Sequence, residues 1–557
     1  MNRRARTYAL VALLVLVLGG GAAVAAVVTG SAGGHGPGAT ASINGVRLTG
    51  RLKPTAPVSF TLLLRTAHSR RLQRALNAVE NPHSPRFRSF IDARSFGARF
   101  GLSRTALARL TAALGRAGVT VATGYPQRTA LTVRGSAGHV GRLLGVRFAT
   151  YADAAGHRWH APLGRARLPA QLRRYVSGLT GLSSRPVFHP ADGVPLGGLT
   201  PTATADAYNI AGLHSAGFLG QGMKIAIVSF SDYDRGDPAV FEQRYGLGGP
   251  APEVIPVDGG ADSDAGADEA NLDIDVVKMI APDAQILFYE APGSGSSYAD
   301  VINRIVASHQ VSIISSSWGS CEPETGASVI SANEQALKAA TAAGISMFVA
   351  SGDSGAYDCQ RSNLADHRLT VDSPASSAYA VAVGGTRLNI SPEGTYESET
   401  GWDDPLSATG GGGGYTARDA RPSWQSGPGV NTAIDKRGVP DVSADADTST
   451  GWSTYDDGNW GEAGGTSAAT PFWAASMLLI QQYANSRHAG GIGFVDPILY
   501  ALAKGGQPYP PFHDVTAGSN RYYTAHAGWD AATGLGSPSV DNLARDIVAY
   551  LKQHPGG

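Results

Sequence analysis

Ile345-Ser346-Met347-Phe348-Val349-Ala350-Ser351-Gly352-Asp353-Ser354-Gly355 decides the architecture of this chain. Residues 345–350 form a short, nearly continuous apolar run closed by turn residues. That is the pattern of a strand buried on both faces of a parallel sheet. Runs of the same kind recur at 225–228, 286–289 and 313–314, with helix candidates between them at 267–280, 299–308 and 328–343. This alternation predicts a doubly wound α/β fold, whose sites collect beyond the carboxyl ends of the strands. Asp353 follows its strand directly and is placed at such an end. Taken alone, 351–355 reads equally well as an Asp-Ser-Gly turn.

The 557 residues are 43% apolar and include 72 glycines, a length worth roughly three to four domains. The formal charge is zero but unevenly distributed. Residues 31–185 hold 24 Lys and Arg against three acids, Glu80, Asp92 and Asp153, a net +21. Residues 186–557 hold 18 against 42, a net −24. A basic domain is a candidate nucleic-acid binder. Here the same chain supplies an acidic partner of matching size, so the preferred reading is an intramolecular complex without nucleic acid.

Residues 1–28 begin with a basic stretch, continue through an apolar run and offer Ala23-Val24-Ala25 as a small-x-small cleavage site. They read as a secretory signal peptide, after whose removal no stable membrane association is expected. The alternative is a retained anchor through residues 8–28. The Gly/Ala/Ser-rich stretch 29–45 is expected to be a disordered linker. Residues 46–180 read as a compact basic α+β domain of ferredoxin-like type, with strands at 58–64, 118–121 and 130–133 and helices at 69–80 and 103–117. Residues 181–200 have linker composition, suited to proteolytic processing. Residues 201–557 carry the α/β pattern and all the candidate chemistry.

In the helix at 267–280, Leu272, Val276, Val277 and Ile280 share one face at 3.6 residues per turn. Glu269 and Asp273 fall four apart in the middle of that face, while Asp268, Asp275 and Lys278 are expected to point to water. Like charges at this spacing repel, and burial makes both harder to ionise. A pair of satisfied caps, or a salt bridge to a distant arginine, is the structural alternative. A buried carboxyl pair sharing a proton is also a good general acid or base.

Gly464-Gly465-Thr466-Ser467-Ala468-Ala469-Thr470-Pro471 precedes the apolar run 472–479, which reads as a buried helix. Pro471 is expected in its first turn. Ser467 then stands near the positive end of the helix dipole, as a nucleophile or merely as an N-cap. A Gly-Asp-Ser-Gly run also occurs in chymotrypsin-like proteases. Those enzymes need a histidine base on a β-barrel, and this pattern offers neither.

Cys321 and Cys359 are the only cysteines. They follow neighbouring parallel strands, which favours a disulfide bracing two loops of one site, although two free thiols remain open.

Taken together, the 464–471 stretch, Ser351-Gly352-Asp353-Ser354-Gly355, Ser317-Trp318-Gly319 and Glu269-x-x-x-Asp273 resemble the sedolisin family of serine-carboxyl peptidases, of kumamolisin type. Further matches are Pro422-Ser423-Trp424-Gln425, Arg437-Gly438-Val439-Pro440-Asp441-Val442 and Gly528-Trp529-Asp530-x-x-Thr533-Gly534-Leu535-Gly536. The similarity runs in order over 200–545, and 46–180 resembles the family's activation propeptide. The resemblance implies a subtilisin-like, mostly parallel sheet and a secreted peptidase acting in acid on proteins or peptides. Either endopeptidase or tripeptidyl peptidase action fits. It also implies a monomer made as a precursor inhibited by its own propeptide. It assigns Ser467 as nucleophile, Glu269 as general base, Asp273 as its tuning partner and Asp353 as the oxyanion group. Trp318 and Gly319 would lie near the carboxyl pair. Ser229 stands where some relatives carry a further glutamate. Asp514 and Asp530, with the carbonyls of Val515, His526 and Gly528, would form a Ca²⁺ site, hard oxygen ligands suiting that ion. A catalytically silent binding protein on the same fold is the competing reading. None of the seven histidines in 201–557 sits in a histidine-base motif.

Overall fold

The computed structural model describes residues 46–153, 156–188 and 198–556, with the backbone of Ser42–Ile43. The expected signal peptide, nearly all of the 29–45 linker and the centre of the 181–200 linker lie outside the described residues.

The basic part contains β1 (Val46–Arg51), β2 (Pro57–Leu64), α1 (Ser69–Glu80), α2 (Ala93–Arg99), α3 (Arg104–Arg116), β3 (Val119–Gly124), β4 (Ala130–Ser136), α4 (Ala137–Leu144), β5 (Arg147–Ala152), β6 (Arg158–Leu163) and β7 (Val176–Thr180). An antiparallel sheet runs β3-β4-β2-β7, and β1, β5 and β6 belong to a second one. Ser103 and Ser136 cap α3 and α4 by accepting from the Ala106 and His139 amides. Side-chain alternation sorts β2. Val58, Phe60, Leu62 and Leu64 enter the core of this part, beside Leu110, Leu114, Val133 and Val140. Thr61 and Leu63 face the other way, toward the acidic part.

The acidic part is built on β8 (Lys224–Ser229), β9 (Glu253–Pro256), α5 (Ala267–Ile280), β10 (Gln285–Glu290), α6 (Ser297–Ser308), β11 (Ile313–Ser316), β12 (Ser320–Cys321), α7 (Ala327–Ala342), β13 (Ser346–Ala350), β14 (Asp372–Ser373), β15 (Val381–Ile390), β16 (Tyr396–Gly401), β17 (Val442–Asp445) and α8 (Thr466–Ser486). Eight strands form one sheet in the order β9-β10-β8-β11-β13-β15-β16, with β17 also paired to β15. Only the β15–β16 pairing is antiparallel. The sheet strands are buried apolar runs because helices cover both faces. Helices α5 and α8 pack on one side in a cluster with Ile225, Ile227, Val276, Phe472 and Leu478. Helices α6 and α7 pack on the other with Leu287, Ile302, Ile314 and Met347. The carboxyl ends of β8, β11 and β13 therefore open onto the N-terminal ends of α5 and α8.

Two expectations about these helices are corrected. Asp275 and Lys278 do not point to water; both are buried. The hairpin at Trp452–Ala463 covers the side of α5 that a helical wheel leaves open. There the Tyr455 amide and the Thr454 hydroxyl donate to Asp275 Oδ2 at 2.9 and 3.2 Å. Lys278 Nζ pairs with Glu242 at 2.7 Å and donates to the Pro250 carbonyl at 2.8 Å. Nor does Pro471 lie in the first turn of its helix. α8 already begins at Thr466, which places the proline inside it.

The basic part lays β2, β4 and β7 across α6 and α7. Thr61 Oγ1 donates to Asp300 Oδ2 at 2.8 Å, Gln127 Nε2 to the Asn303 carbonyl at 2.8 Å and Thr180 Oγ1 to the Gly295 carbonyl at 2.8 Å. Arg88 donates to the carbonyls of Gly491 and Ala489. Despite the +21/−24 division, every ion pair within 4 Å among the described residues lies inside one part or the other. Hydrogen bonds to backbone carbonyls and to Asp300, with apolar side chains, form the contact instead. No helix among the described residues is long and apolar enough to cross a membrane.

Candidate active site

Four segments meet around Ser467. Gly465 enters α8 with φ 84°, a conformation costly for any residue with a Cβ. The turn at Gly464-Gly465 brings the helix start against the ends of β11 and β13. Ser467 is 0% exposed, Glu269 2%, Asp273 0% and Asp353 7%.

Pro471 shapes this corner. Lacking an amide hydrogen, it cannot satisfy the Ser467 carbonyl four residues back. That carbonyl faces Ser317 Oγ instead, at 3.0 Å. Ser317 Oγ also lies 2.5 Å from Asp273 Oδ1. A hydroxyl has one proton to give. It donates to the Asp273 carboxylate, or to the Ser467 carbonyl when Asp273 is protonated. The bridging role of Ser317 is not visible in the motif Ser317-Trp318-Gly319. The signal for it is Pro471, which leaves an acceptor needing a donor.

Glu269 and Asp273 lie on successive turns of α5, facing each other and Ser467. Burial raises the proton affinity of Glu269 well above the carboxylate range, and the neighbouring Asp273 raises it further. The nearby Ser467 hydroxyl opposes the shift. Burial also raises Asp273, against the hydrogen bond from Ser317. Among the described residues no donor reaches either oxygen of Glu269 or Asp273 Oδ2 with hydrogen-bond geometry. Ser467 Oγ is within reach of Glu269 but turned toward the Ser317 carbonyl, at 3.4 Å. Two carboxyls so placed hold at least one proton between them.

Asp353 stands across the serine, at the carboxyl end of β13. Its Oδ1 accepts from the Thr466 amide at 2.7 Å and the Thr466 hydroxyl at 2.8 Å. The carboxyl thus sits on the positive end of α8. The Trp318 ring packs edge-on to Phe230 and against Gly266, one turn before Glu269. The Ser229 hydroxyl, at the end of β8, bonds among the described residues to the Ser231 backbone, and a serine there supplies no further carboxyl to the network. None of the seven histidines makes a hydrogen bond to Ser467, Glu269, Asp273 or Asp353 among the described residues.

The chain is similar to known proteins over most of its length. Residues 44–185 match the Pro-kumamolisin activation domain, and 260–491 match the subtilase family. Kumamolisin from Bacillus sp. (strain MN-32) is 31% identical over 536 residues, 89% of this chain and 92% of that protein. The chain belongs to the sedolisin family of serine-carboxyl peptidases. Sedolisin from Pseudomonas sp. (strain 101) is 29% identical over 534 residues, covering 90% of this chain and 88% of that protein. Tripeptidyl-peptidase 1 from Bos taurus is 26% identical over 542 residues, with 90% and 93% covered. The solved structure of Pseudomonas sedolisin complexed with two molecules of pseudo-iodotyrostatin superposes with a TM-score of 0.57 at 29% identity. It covers 65% of this chain and 100% of that one. This sedolisin-family chain is accordingly a serine-type peptidase with an activation propeptide.

Cys321 and Cys359 form a disulfide with Cα atoms 5.3 Å apart, which leaves no free cysteine among the described residues. The expected calcium ligands also gather in one loop region. Both oxygens of Asp514 accept from the Gly528 amide, at 3.2 and 3.0 Å. Asp530 Oδ2 accepts from the His526 amide at 2.9 Å, and its Oδ1 from the amides of Ala532 and Thr533. No described donor takes the carbonyl oxygens of Val515, His526 or Gly528. No group of three or more acidic, His or Cys side chains suited to a metal occurs among the described residues, so two carboxylates are the acidic complement here.

Proposed function

We propose that this chain is a secreted peptidase that hydrolyses peptide bonds in acid through a serine acyl-enzyme with a carboxyl general base. The observation carrying this reading is Ser467 enclosed by Glu269, Asp273 and Asp353, with none of the histidines at 201–557 bonded to them among the described residues. A serine needs a base to become nucleophilic. Glu269, with its raised proton affinity, takes the proton from Ser467 Oγ as Oγ adds to the scissile carbonyl. Asp273 shares that proton and is held in place through Ser317. Asp353, protonated in acid, donates to the developing oxyanion, beside the positive end of α8. Glu269 returns its proton to the leaving amine, and water then enters by the reverse route to release the acid product.

The precursor form follows from the propeptide lying on α6 and α7, with processing assigned to 181–200. Substrates are proteins or peptides. Secretion is inferred from the signal-like residues 1–28, and the monomeric state from the resemblance. The two carboxylates and the free carbonyls at Asp514, Val515, His526, Gly528 and Asp530 fit a calcium ion. Bound there, Ca²⁺ would tie the 514–530 loop and supply structural stability rather than chemistry.

The test is digestion of casein by the acid-activated protein. The wild type is expected to cleave it in acid, and Ser467→Ala to lose that activity. Unchanged digestion by Ser467→Ala would remove the assignment.

A further inference from the structure

The propeptide also meets the catalytic part at a second place, far from Ser467. Residues 81–91 leave α1 and reach the amino end of β13. There Ser346 Oγ donates to the Gly493 carbonyl at 2.7 Å and accepts from the Val495 amide at 3.1 Å, which fixes the 489–495 loop against the start of that strand. β13 has five residues. At about 3.3 Å each they set the loop roughly 15 Å from the end where Asp353 stands.

Two glycines of the catalytic part receive one propeptide ring. A Cβ at Gly493 would stand 2.1 Å from Phe90 Cζ, and one at Gly344 would stand 2.7 Å from Phe90 Cδ2. Any larger residue at either position would displace the ring. On its other side Phe90 borders a cavity of about 580 Å³, shared with Leu72, Leu76, Val79 and Phe100. The ring is therefore packed closely by the catalytic part and loosely by its own domain. Arg88 is the second anchor. Its Nε donates to the Gly491 carbonyl at 2.7 Å and its Nη2 to the Ala489 carbonyl at 2.9 Å. Its backbone holds φ 57°, a left-handed conformation costly for a residue with a Cβ. The Arg88 amide donates to the Val79 carbonyl at 3.0 Å, and the Ile91 amide to the Ala342 carbonyl at 2.8 Å. The His554 ring meets the His83 ring edge-on at 6.3 Å, so the end of the chain borders the same segment.

We propose that residues 342–344 and 489–493 form a docking cleft for an arginine two residues ahead of an aromatic ring, and that its occupant is Arg88-Ser89-Phe90 of the chain's own propeptide. Paired carbonyls suit a guanidinium, which brings donors alone. Glycines bare of Cβ let a ring approach to backbone distance. Because the cleft is remote from Ser467, cutting the 181–200 linker does not empty it. The cut propeptide stays docked until Arg88 and Phe90 leave, and the processed enzyme then presents the cleft as a peptide-binding site separate from the catalytic one. The inference uses the propeptide assignment but not the chemistry given to Ser467.

The experiment uses the full chain as Ser467→Ala, with residues 189–197 replaced by the recognition sequence of a site-specific protease. After that single cut, the dissociation constant of the two parts is read by sedimentation over a dilution series. Phe90→Ala and Arg88→Ala are each expected to raise it by at least about tenfold. Arg109→Ala removes the same charge from the exposed face of α3 and should leave it within about twofold. A constant unchanged in both cleft variants, or raised equally in Arg109→Ala, would overturn the proposal. Should the substituted chains not fold, a synthetic peptide of residues 84–93 decides on the cut parent. In excess it is expected to raise the apparent constant, whereas the same peptide carrying Phe90→Ala is not. Equal effects of the two peptides, or none from either, would refute the cleft. The assay involves no turnover, so a failed cleft leaves the acid peptidase reading standing. Casein digestion by Ser467→Ala would remove that reading without touching the cleft.

Discussion

Replacing Ser317 by alanine probes the least expected contact at the centre of the site. Its hydroxyl lies 2.5 Å from Asp273 Oδ1 and 3.0 Å from the Ser467 carbonyl, and all three residues are buried. Pro471 has no amide to offer that carbonyl. Ser317→Ala therefore removes the one proton that these two buried acceptors share. The expected loss is about 1–3 kcal/mol, read by urea unfolding in acid on a Ser467→Ala background that prevents self-digestion. Adding Pro471→Ala supplies a backbone donor to the Ser467 carbonyl and is expected to return about 1–3 kcal/mol. In the active enzyme the same change has a kinetic sign. The Ser317 bond lowers the proton affinity of Asp273, so its loss raises that of the pair, and the acid limb of kcat/KM moves to higher pH. A stability loss below about 0.5 kcal/mol together with an unmoved acid limb would refute the bridging role.

Two further outcomes follow. Glu269, Asp275, Asp300, Asp372, Asp445 and Asp496 are all held above the usual carboxylate range by burial, and Asp358 is raised to about 7. Each binds its proton more tightly folded than unfolded, so its contribution is fully present below about pH 4 and is lost as pH rises through the folded value. For Asp358 that is up to about 4 kcal/mol. The melting temperature of the Ser467→Ala chain should fall between about pH 4 and pH 7, and a Tm that rises over this interval would contradict the burial argument. For the loop at 514–530, adding Ca²⁺ to chelator-treated protein should raise Tm, and Asp514→Ala with Asp530→Ala should abolish the increase. An equal increase in that variant would place the ion elsewhere.

The sheet was legible because its strands are apolar runs ending in turn residues, and Asp353 could be placed from its position after one of them. Ser467 and the Glu269–Asp273 pair were legible from local spacing. What failed needed long-range information. A helical wheel assigns faces to α5 but cannot see the Trp452–Ala463 hairpin, nearly 180 residues away, that buries Asp275. Lys278 was misplaced for a related reason, since its partner Glu242 lies on a helix earlier in the chain. The role of Ser317 needed the register of α8, which starts earlier than its apolar run implies. The charge division suggested an intramolecular complex, and the hydrogen bonds that cross the contact come from Thr61, Gln127, Thr180 and Arg88 rather than from ion pairs.

The chemistry of this site turns on a carboxyl doing what an imidazole does in other serine peptidases. The most direct measurement is kcat/KM against pH for wild type and Glu269→Gln after acid activation. Activity confined to acid in the wild type, with kcat in Glu269→Gln lower by about 10² to 10⁴ and KM little changed, is the predicted result. A wild-type optimum above neutral pH, or a Glu269→Gln variant that turns over at the wild-type rate, would contradict it.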